Sequence, residues 1–167
     1  HETKMSYDNR NRVKGTKDPE NNNAVYNYDG NGNVTSISLP NGRSINYTYD
    51  QLNRVTSATD ASGTIGTFTY DKNSNITSYT NGTGATTSAS YDSLDRIKQI
   101  TDPLGNSSSY TYDNNNNIIT TTDREGRISH YTYDSLDRVK TFTDNNGFVI
   151  TVGYDAEDNI TSLTDQN

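Results

Sequence analysis

Polar and apolar residues alternate along this chain in short runs. Tyr47-Thr48-Tyr49 places two aromatics on one side of an extended backbone and a hydroxyl on the other. That is the period-2 pattern of a half-buried strand. The polar stretch Asp50-Gln51-Leu52-Asn53 then predicts a turn, and Arg54-Val55-Thr56-Ser57-Ala58-Thr59 predicts a second strand. Asp60-Ala61-Ser62-Gly63 turns the chain back. Helix is nearly excluded: no window carries apolar residues at i, i+3 and i+4, and β-branched, Gly and Asn residues oppose it.

The unit repeats. Tyr-Asp stands at Tyr7-Asp8, Tyr28-Asp29, Tyr49-Asp50, Tyr70-Asp71, Tyr91-Asp92, Tyr112-Asp113, Tyr133-Asp134 and Tyr154-Asp155, every step being 21 residues. Six residues after each Tyr comes Val13, Val34, Val55, Ile76, Ile97, Ile118, Val139 or Ile160. Two residues before it stand Tyr26, Tyr47, Phe68, Tyr110 and Tyr131, with Met5, Ala89 and Val152 in the other three repeats. Eleven after it stand Asp18, Asp60, Asp102, Asp123, Asp144 and Asp165, interrupted by Leu39 and Asn81. Fourteen after it the row reads Asn21, Gly42, Gly63, Gly84, Gly105, Gly126, Gly147. Five after it, Arg12, Asn33, Arg54, Asn75, Arg96, Asn117, Arg138 and Asn159 alternate, the trace of a 42-residue pair.

A fixed period on this scale marks stacked repeats. The expected fold is all-β: eight hairpin repeats in one array over residues 1–167, forming an antiparallel meander of about 16 short strands. Open sheets rarely exceed about ten strands without curling, so a coiled sheet is expected. The Tyr and Val/Ile rows should form one apolar face and the Thr, Ser and Asn rows the other. The Gly row answers turns that need φ > 0, which Asn21 also tolerates. Pro19, Pro40 and Pro103 all fall at the start of that turn, and none falls inside a strand.

Composition sharpens this picture. Only 28% of residues are hydrophobic, which alone would read as disorder. The 13 Tyr and the recurring Thr, Val and Ile argue for strands instead. Net charge is -7, so a basic nucleic-acid surface is not expected. There is no cysteine, hence no disulfide framework and no thiolate metal site. No stretch approaches the roughly 18 apolar residues of a membrane helix, no signal peptide is visible, and His1-Glu2-Thr3-Lys4 reads as a cut edge.

Tyr133-Asp134-Ser135-Leu136-Asp137-Arg138-Val139, followed by Thr143-Asp144 and Gly147, resembles the YD repeat of the Rhs family, as does Tyr28-Asp29-Gly30-Asn31-Gly32-Asn33-Val34. The resemblance covers the whole chain. It extends to bacterial wall-associated and polymorphic toxins, the C component of Tc insecticidal toxins, and teneurins. It implies a long β-sheet wound into a hollow shell that encloses a toxic C-terminal domain, in a secreted or cell-surface bacterial protein. The chain departs from complete members, having no recognisable toxin domain and no end-of-shell region with an aspartate-dependent self-cleavage site. Asp102-Pro103-Leu104-Gly105 superficially matches an element near that site but sits at an ordinary turn, so no self-cleavage is carried over.

Candidate chemistry is sparse, and no enzyme, cofactor or metal site is expected. Of two histidines, His1 is terminal and His130 occupies a variable strand position. No serine sits in a nucleophile motif. Asp29-Gly30-Asn31-Gly32-Asn33 and Asp113-Asn114-Asn115-Asn116-Asn117 space oxygens as a calcium loop begins, but Pro40 and Arg124 occupy the place of the bidentate Glu. The repeated Asp residues read as turn caps. The Arg row is expected to pair with carboxylates on neighbouring turns, Arg138 with Asp92 or Asp137. The Tyr rows read as core, with stacking on surface glycan as the alternative. The expected partners are further repeats and a C-terminal toxin domain of the same parent, and other copies through open strand edges.

Overall fold

A computed structural model describes residues 2–166. His1, weighed above as a catalytic group, lies outside the described residues. The chain divides into two compact units, the first ending at Thr86 and the second beginning at Thr87. The first unit carries β1 (Lys4–Tyr7), β2 (Val13–Lys17), β3 (Asn23–Tyr28), β4 (Val34–Ser38), β5 (Ser44–Tyr49), β6 (Val55–Asp60), β7 (Gly63–Tyr70) and β8 (Ile76–Asn81). The second carries β9 (Thr86–Tyr91, whose first residue closes the first unit), β10 (Ile97–Thr101), β11 (Ser107–Tyr112), β12 (Ile118–Thr122), β13 (Ile128–Tyr133), β14 (Val139–Thr143), β15 (Val149–Tyr154) and β16 (Ile160–Gln166). Within each unit sheet order is chain order, and every pairing is antiparallel. The expected all-β meander of sixteen strands is present, with no helix among the described residues.

Each Tyr-bearing hairpin contains a bulge next to the Tyr. In β3–β4, Tyr26 faces Ile37, Asn27 faces Ser36, and Tyr28 faces Val34, the register shifting between Asn27 and Tyr28. In β13–β14, Tyr131 faces Phe142 and Tyr133 faces Val139 across the same shift. The extra residue reverses the alternation of its strand. Val34 and Ile37, three apart and so destined for opposite faces of a regular strand, therefore both partner the tyrosines. The apolar face gains a row nine residues after the Tyr: Ile37, Ala58, Tyr79, Ile100, Phe142, Leu163.

That face is half-buried. Among the described residues no hydrophobic side chain is fully buried, so the expectation that the Tyr rows form a core is corrected. A single layer of strands leaves one side of every ring near solvent, and the rings act by stacking and hydrogen bonding. Phe68 and Tyr79 lie with centroids 5.1 Å apart, and Tyr131 and Phe142 at 5.4 Å, within the range of favourable aromatic pairs. Tyr79 also covers Gly66, the one buried residue among those described. A Cβ there would lie 2.6 Å from the Tyr79 ring.

Candidate functional site: two rims of Asp-capped turns

Both ends of the hairpins are closed by one kind of turn. At the Tyr-Asp end, Asp50 N–H donates to the Arg54 carbonyl at 2.9 Å and Asn53 N–H to the Asp50 carbonyl at 3.0 Å. Asn53 is left-handed, φ 61°. This is a type I turn closed by an αL residue, a standard hairpin loop. The carboxylate supports it, Asp50 Oδ1 accepting from Leu52 N–H at 2.9 Å and Arg54 N–H at 3.0 Å. At the other end Asp102 repeats the pattern: its N–H donates to the Asn106 carbonyl, its Oδ1 accepts from Leu104 and Asn106 N–H groups, and Gly105 has φ 88°. The Asp102-Pro103-Leu104-Gly105 string is thus a turn, as read.

The Gly row behaves as expected, with Gly42, Gly84, Gly126 and Gly147 at φ 77° to 85° and Asn21 at 67°. The second left-handed row was missed. Asn11, Gly32, Asn53, Ser74, Asp95, Asn116, Asp137 and Asp158, four residues after each Tyr, all have positive φ. Its signal was visible, since Asn and Asp tolerate this conformation best among residues with a Cβ. Gly63 differs. Asp60 pairs directly with Gly63 across a two-residue loop, and the β6–β7 register shifts between Ala58 and Thr59.

The rims differ in what reaches across repeats. The Tyr28 hydroxyl donates to the Val13 carbonyl of the preceding repeat at 2.7 Å, Tyr49 to Val34 at 2.8 Å and Tyr70 to Val55 at 2.7 Å. In the second unit Tyr112 donates to Ile97, Tyr133 to Ile118 and Tyr154 to Val139, at 2.8 to 2.9 Å. The two most regular rows of the sequence are the two ends of this bond. Burial raises the Tyr49, Tyr112 and Tyr133 phenols above their ordinary pKa.

Arginine adds a second link. Arg54 Nε and Nη2 hold Asp50 Oδ2, both at 2.7 Å. Its guanidinium lies 4.5 Å from the Tyr70 ring centroid, and Nη1 donates to the Asp71 carbonyl at 2.8 Å and Ser74 Oγ at 3.1 Å. Arg12 over Tyr28, Arg96 over Tyr112 and Arg138 over Tyr154 repeat the stack at 4.2 to 4.4 Å. Arg138 therefore pairs with Asp134 of its own turn and Asp158 of the next, at 2.7 and 2.6 Å. This corrects the expected pairing with Asp92 or Asp137: the Asp beside the Tyr is closest in the turn itself.

Repeats with Asn in that place use shorter arms. Asn33 Nδ2 donates to Asp29 Oδ2 at 2.9 Å and to Asn53 Oδ1 of the next repeat at 2.7 Å, and Asn31 Nδ2 reaches Asn53 Oδ1 at 3.0 Å. Asn117 and Asn115 do the same with Asp113 and Asp137. Arg and Asn are alternative bridges between the Asp of one repeat and the αL residue of the next. The two stretches weighed as calcium loops are these turns, with each carboxylate accepting from its own turn's N–H groups.

Hydrogen bonds set the electrostatics of the rim. Backbone and side-chain donation from Arg54 holds the Asp50 carboxyl below its usual pKa, and the Arg138 side chain does so for Asp134. His130 stands apart, exposed, with Nδ1 3.3 Å from Thr120 Oγ1. Among the described residues the Thr120 hydroxyl is its side-chain hydrogen-bond partner.

These features define a class: a β-hairpin repeat array whose recurring residues shape the turns and bond one repeat to the next. A family model described as RHS Repeat matches residues 28–65, 52–87, 91–128, 113–144 and 133–167. The chain belongs to the RHS repeat family. Its fold is similar to that in a crystal structure of TcdB2-TccC3 (TM-score 0.74, 15% identity, 99% of this chain and 11% of that one). It is equally similar to TcdB2-TccC3 without its hypervariable C-terminal region (0.74, 16%, 98% and 11%). A Photorhabdus luminescens Tc holotoxin pore matches at 0.67, with 17% identity over 87% of this chain and 9% of that one. This chain thus spans about a tenth of the solved chains it resembles. No curated protein sequence matches it.

Proposed function

We propose that this chain is a structural stretch of a larger bacterial shell, secreted or held at the cell surface, that encloses or delivers a C-terminal toxin, and that it catalyses nothing itself. The observation that supports this most is the Tyr-Asp rim. Its bonds consume the reactive side chains in joining one repeat to the next, which suits a wall. The similarity to TcdB2-TccC3 supports it at the level of fold. The test is limited proteolysis of the full parent protein. The region after the repeats is expected to resist cleavage until acid or denaturant opens the array. A parent with nothing but repeats after this stretch, or one whose following domain is cut at the rate of the free domain, overturns enclosure. Hydrolase activity that survives purification and is lost in His130→Ala would overturn the non-catalytic reading.

A second reading is adhesion to surface glycan, favoured by the half-exposed aromatic face, on which Tyr79 is 38% exposed. Glycan-array binding lost on Tyr26→Ala, Tyr47→Ala and Tyr131→Ala would support it. As an isolated chain the protein is expected to self-associate through the outer edges of β1 and β16, whose residues are exposed throughout. Light scattering that shows a strict monomer at high concentration overturns that.

A further inference from the structure

Asn81 interrupts a row otherwise made mostly of Asp, and Gly82 follows it. Its side chain caps the turn as the aspartates do. Oδ1 accepts from Thr83 N–H at 3.0 Å, the Thr83 hydroxyl at 2.7 Å and Ala85 N–H at 3.0 Å. We infer that Asn81 is a site of self-catalysed deamidation, which converts it to aspartate, the residue of the neighbouring turns, or to isoaspartate.

The reaction needs a nucleophile and a stabilised oxyanion. The Gly82 nitrogen attacks Asn81 Cγ, and the N–Cγ bond forms. The Cγ–Nδ2 bond breaks, the Gly82 proton passes to the leaving nitrogen, and ammonia departs to leave a succinimide. Water then opens the ring, giving Asp by cleavage at Cγ or an isoaspartyl link by cleavage at the backbone carbonyl. Negative charge develops on Oδ1 in the tetrahedral step. That oxygen already faces three donors fixed by the turn, an arrangement that stabilises such charge without reorganisation. The nucleophile is free as well: among the described residues the Gly82 N–H has no hydrogen-bond partner, because the turn is closed by Gly84 N–H donating to the Asn81 carbonyl at 2.9 Å. Gly82 is exposed, so water has access.

The other Asn-Gly pairs provide an internal control. In Asn31-Gly32, Asn41-Gly42 and Asn146-Gly147 the glycine is the αL residue. Its N–H is spent on the turn, donating to Asp29, Leu39 and Asp144 carbonyls at 3.2, 3.0 and 3.1 Å. Attack there requires the turn to open first. Gly82 cannot be exchanged to slow the reaction without other damage, since a Cβ there would strike the Thr64 carbonyl oxygen.

The experiment is incubation of the folded chain at neutral and mildly alkaline pH. Peptide mapping by mass spectrometry then reads Asp and isoaspartate at each Asn-Gly pair, with Asn81→Asp as the reference. Asn81 is expected to convert about tenfold faster than the other three pairs. The four rates should converge in denaturant. Thr83→Val should slow Asn81 severalfold and leave the others alone. Conversion of Asn81 no faster than that of Asn31, Asn41 and Asn146 in the folded chain overturns the proposal, as does a Thr83→Val variant that converts at the parent rate.

Discussion

At the rim that carries Asp50, one arginine touches groups from two repeats: the Asp50 carboxylate, the Tyr70 ring, the Asp71 carbonyl and Ser74. At the opposite rim, Asp102 makes the same turn but serves mainly itself, accepting from Leu104 and Asn106, with Arg124 3.6 Å away as its link to another repeat. Turn shape therefore follows the αL residue that both rims have, with an Asp capping most turns, Asn81 capping one and Leu39 standing in another without a carboxylate. Stacking of repeats depends on Tyr and the Arg/Asn bridge, which only the Tyr-Asp rim has in regular form. Within each unit the Tyr-Asp rim is tied repeat to repeat, and the opposite rim is the one that varies, which is where Leu39, Asn81 and the two-residue loop at Gly63 appear.

Acid should have the largest effect, because it strikes both rims. Hydrogen bonds donated within their turns hold the Asp8, Asp50, Asp92, Asp102 and Asp134 carboxyls below the ordinary aspartate pKa. A group with a depressed folded pKa adds stability above its unfolded pKa and loses it as pH falls through the folded value. The melting temperature, followed by far-ultraviolet dichroism, should be level above about pH 5 and fall steadily below about pH 4. A melting temperature that rises on acidification would break the account of the capped turns.

Arginine then separates the rims. Arg54→Ala should cost about 2 kcal/mol in denaturant unfolding, since it removes a stacked, charge-assisted bridge. Arg54→Lys should recover less than half, because an ammonium cannot hold Asp50 and cover Tyr70 together. Arg43 pairs with Asp60 at the opposite rim with its own side chain 62% exposed, so Arg43→Ala should cost under about 0.5 kcal/mol. Equal losses at Arg54 and Arg43 would erase the distinction.

Much of this architecture was legible in the sequence. Tyr47-Thr48-Tyr49, the Gly row and the prolines placed strands and turns correctly, because those residues report on backbone geometry where they stand. Two features escaped for physical reasons. The apolar row at Ile37, Ile100 and Phe142 lies three residues from Val34, Ile97 and Val139, a spacing that no regular strand buries on one face. Only the bulge makes it legible. The function of the Tyr row was also hidden, because its hydroxyl finds a backbone carbonyl, and a carbonyl leaves no mark in the sequence. Abundance pointed to burial, and in a single-layered sheet the rings have no second layer to be buried under. Regular arginines and asparagines looked like one alternating row of charge and amide, yet both bridge the same two points with arms of different length.

Tyr49→Phe tests that hidden bond at constant shape. It deletes the donor to the Val34 carbonyl and leaves the ring, so about 1 kcal/mol should be lost. Hydrogen exchange should quicken at β3 to β6, the strands beside the deleted link. No change in stability would mean that the hydroxyl only replaces water and that strand pairing alone orders the repeats.

The smallest effect distinguishes the two left-handed rows. At Gly42 nothing lies within 4 Å of a would-be Cβ, so Gly42→Ala should cost only the conformational penalty, roughly 1 kcal/mol. At Asn53 the reverse change, Asn53→Gly, relieves that penalty. It also removes the Oδ1 that accepts from both Asn31 and Asn33. The relief and the loss are each about 1 kcal/mol and opposite in sign, so the net change should be within a few tenths. A stabilised Asn53→Gly would show that the amide bridge adds nothing and that the Tyr-Asp rim is tied by tyrosine and arginine alone. A clear loss would show that the short arm of asparagine holds repeats together as firmly as the long arm of arginine.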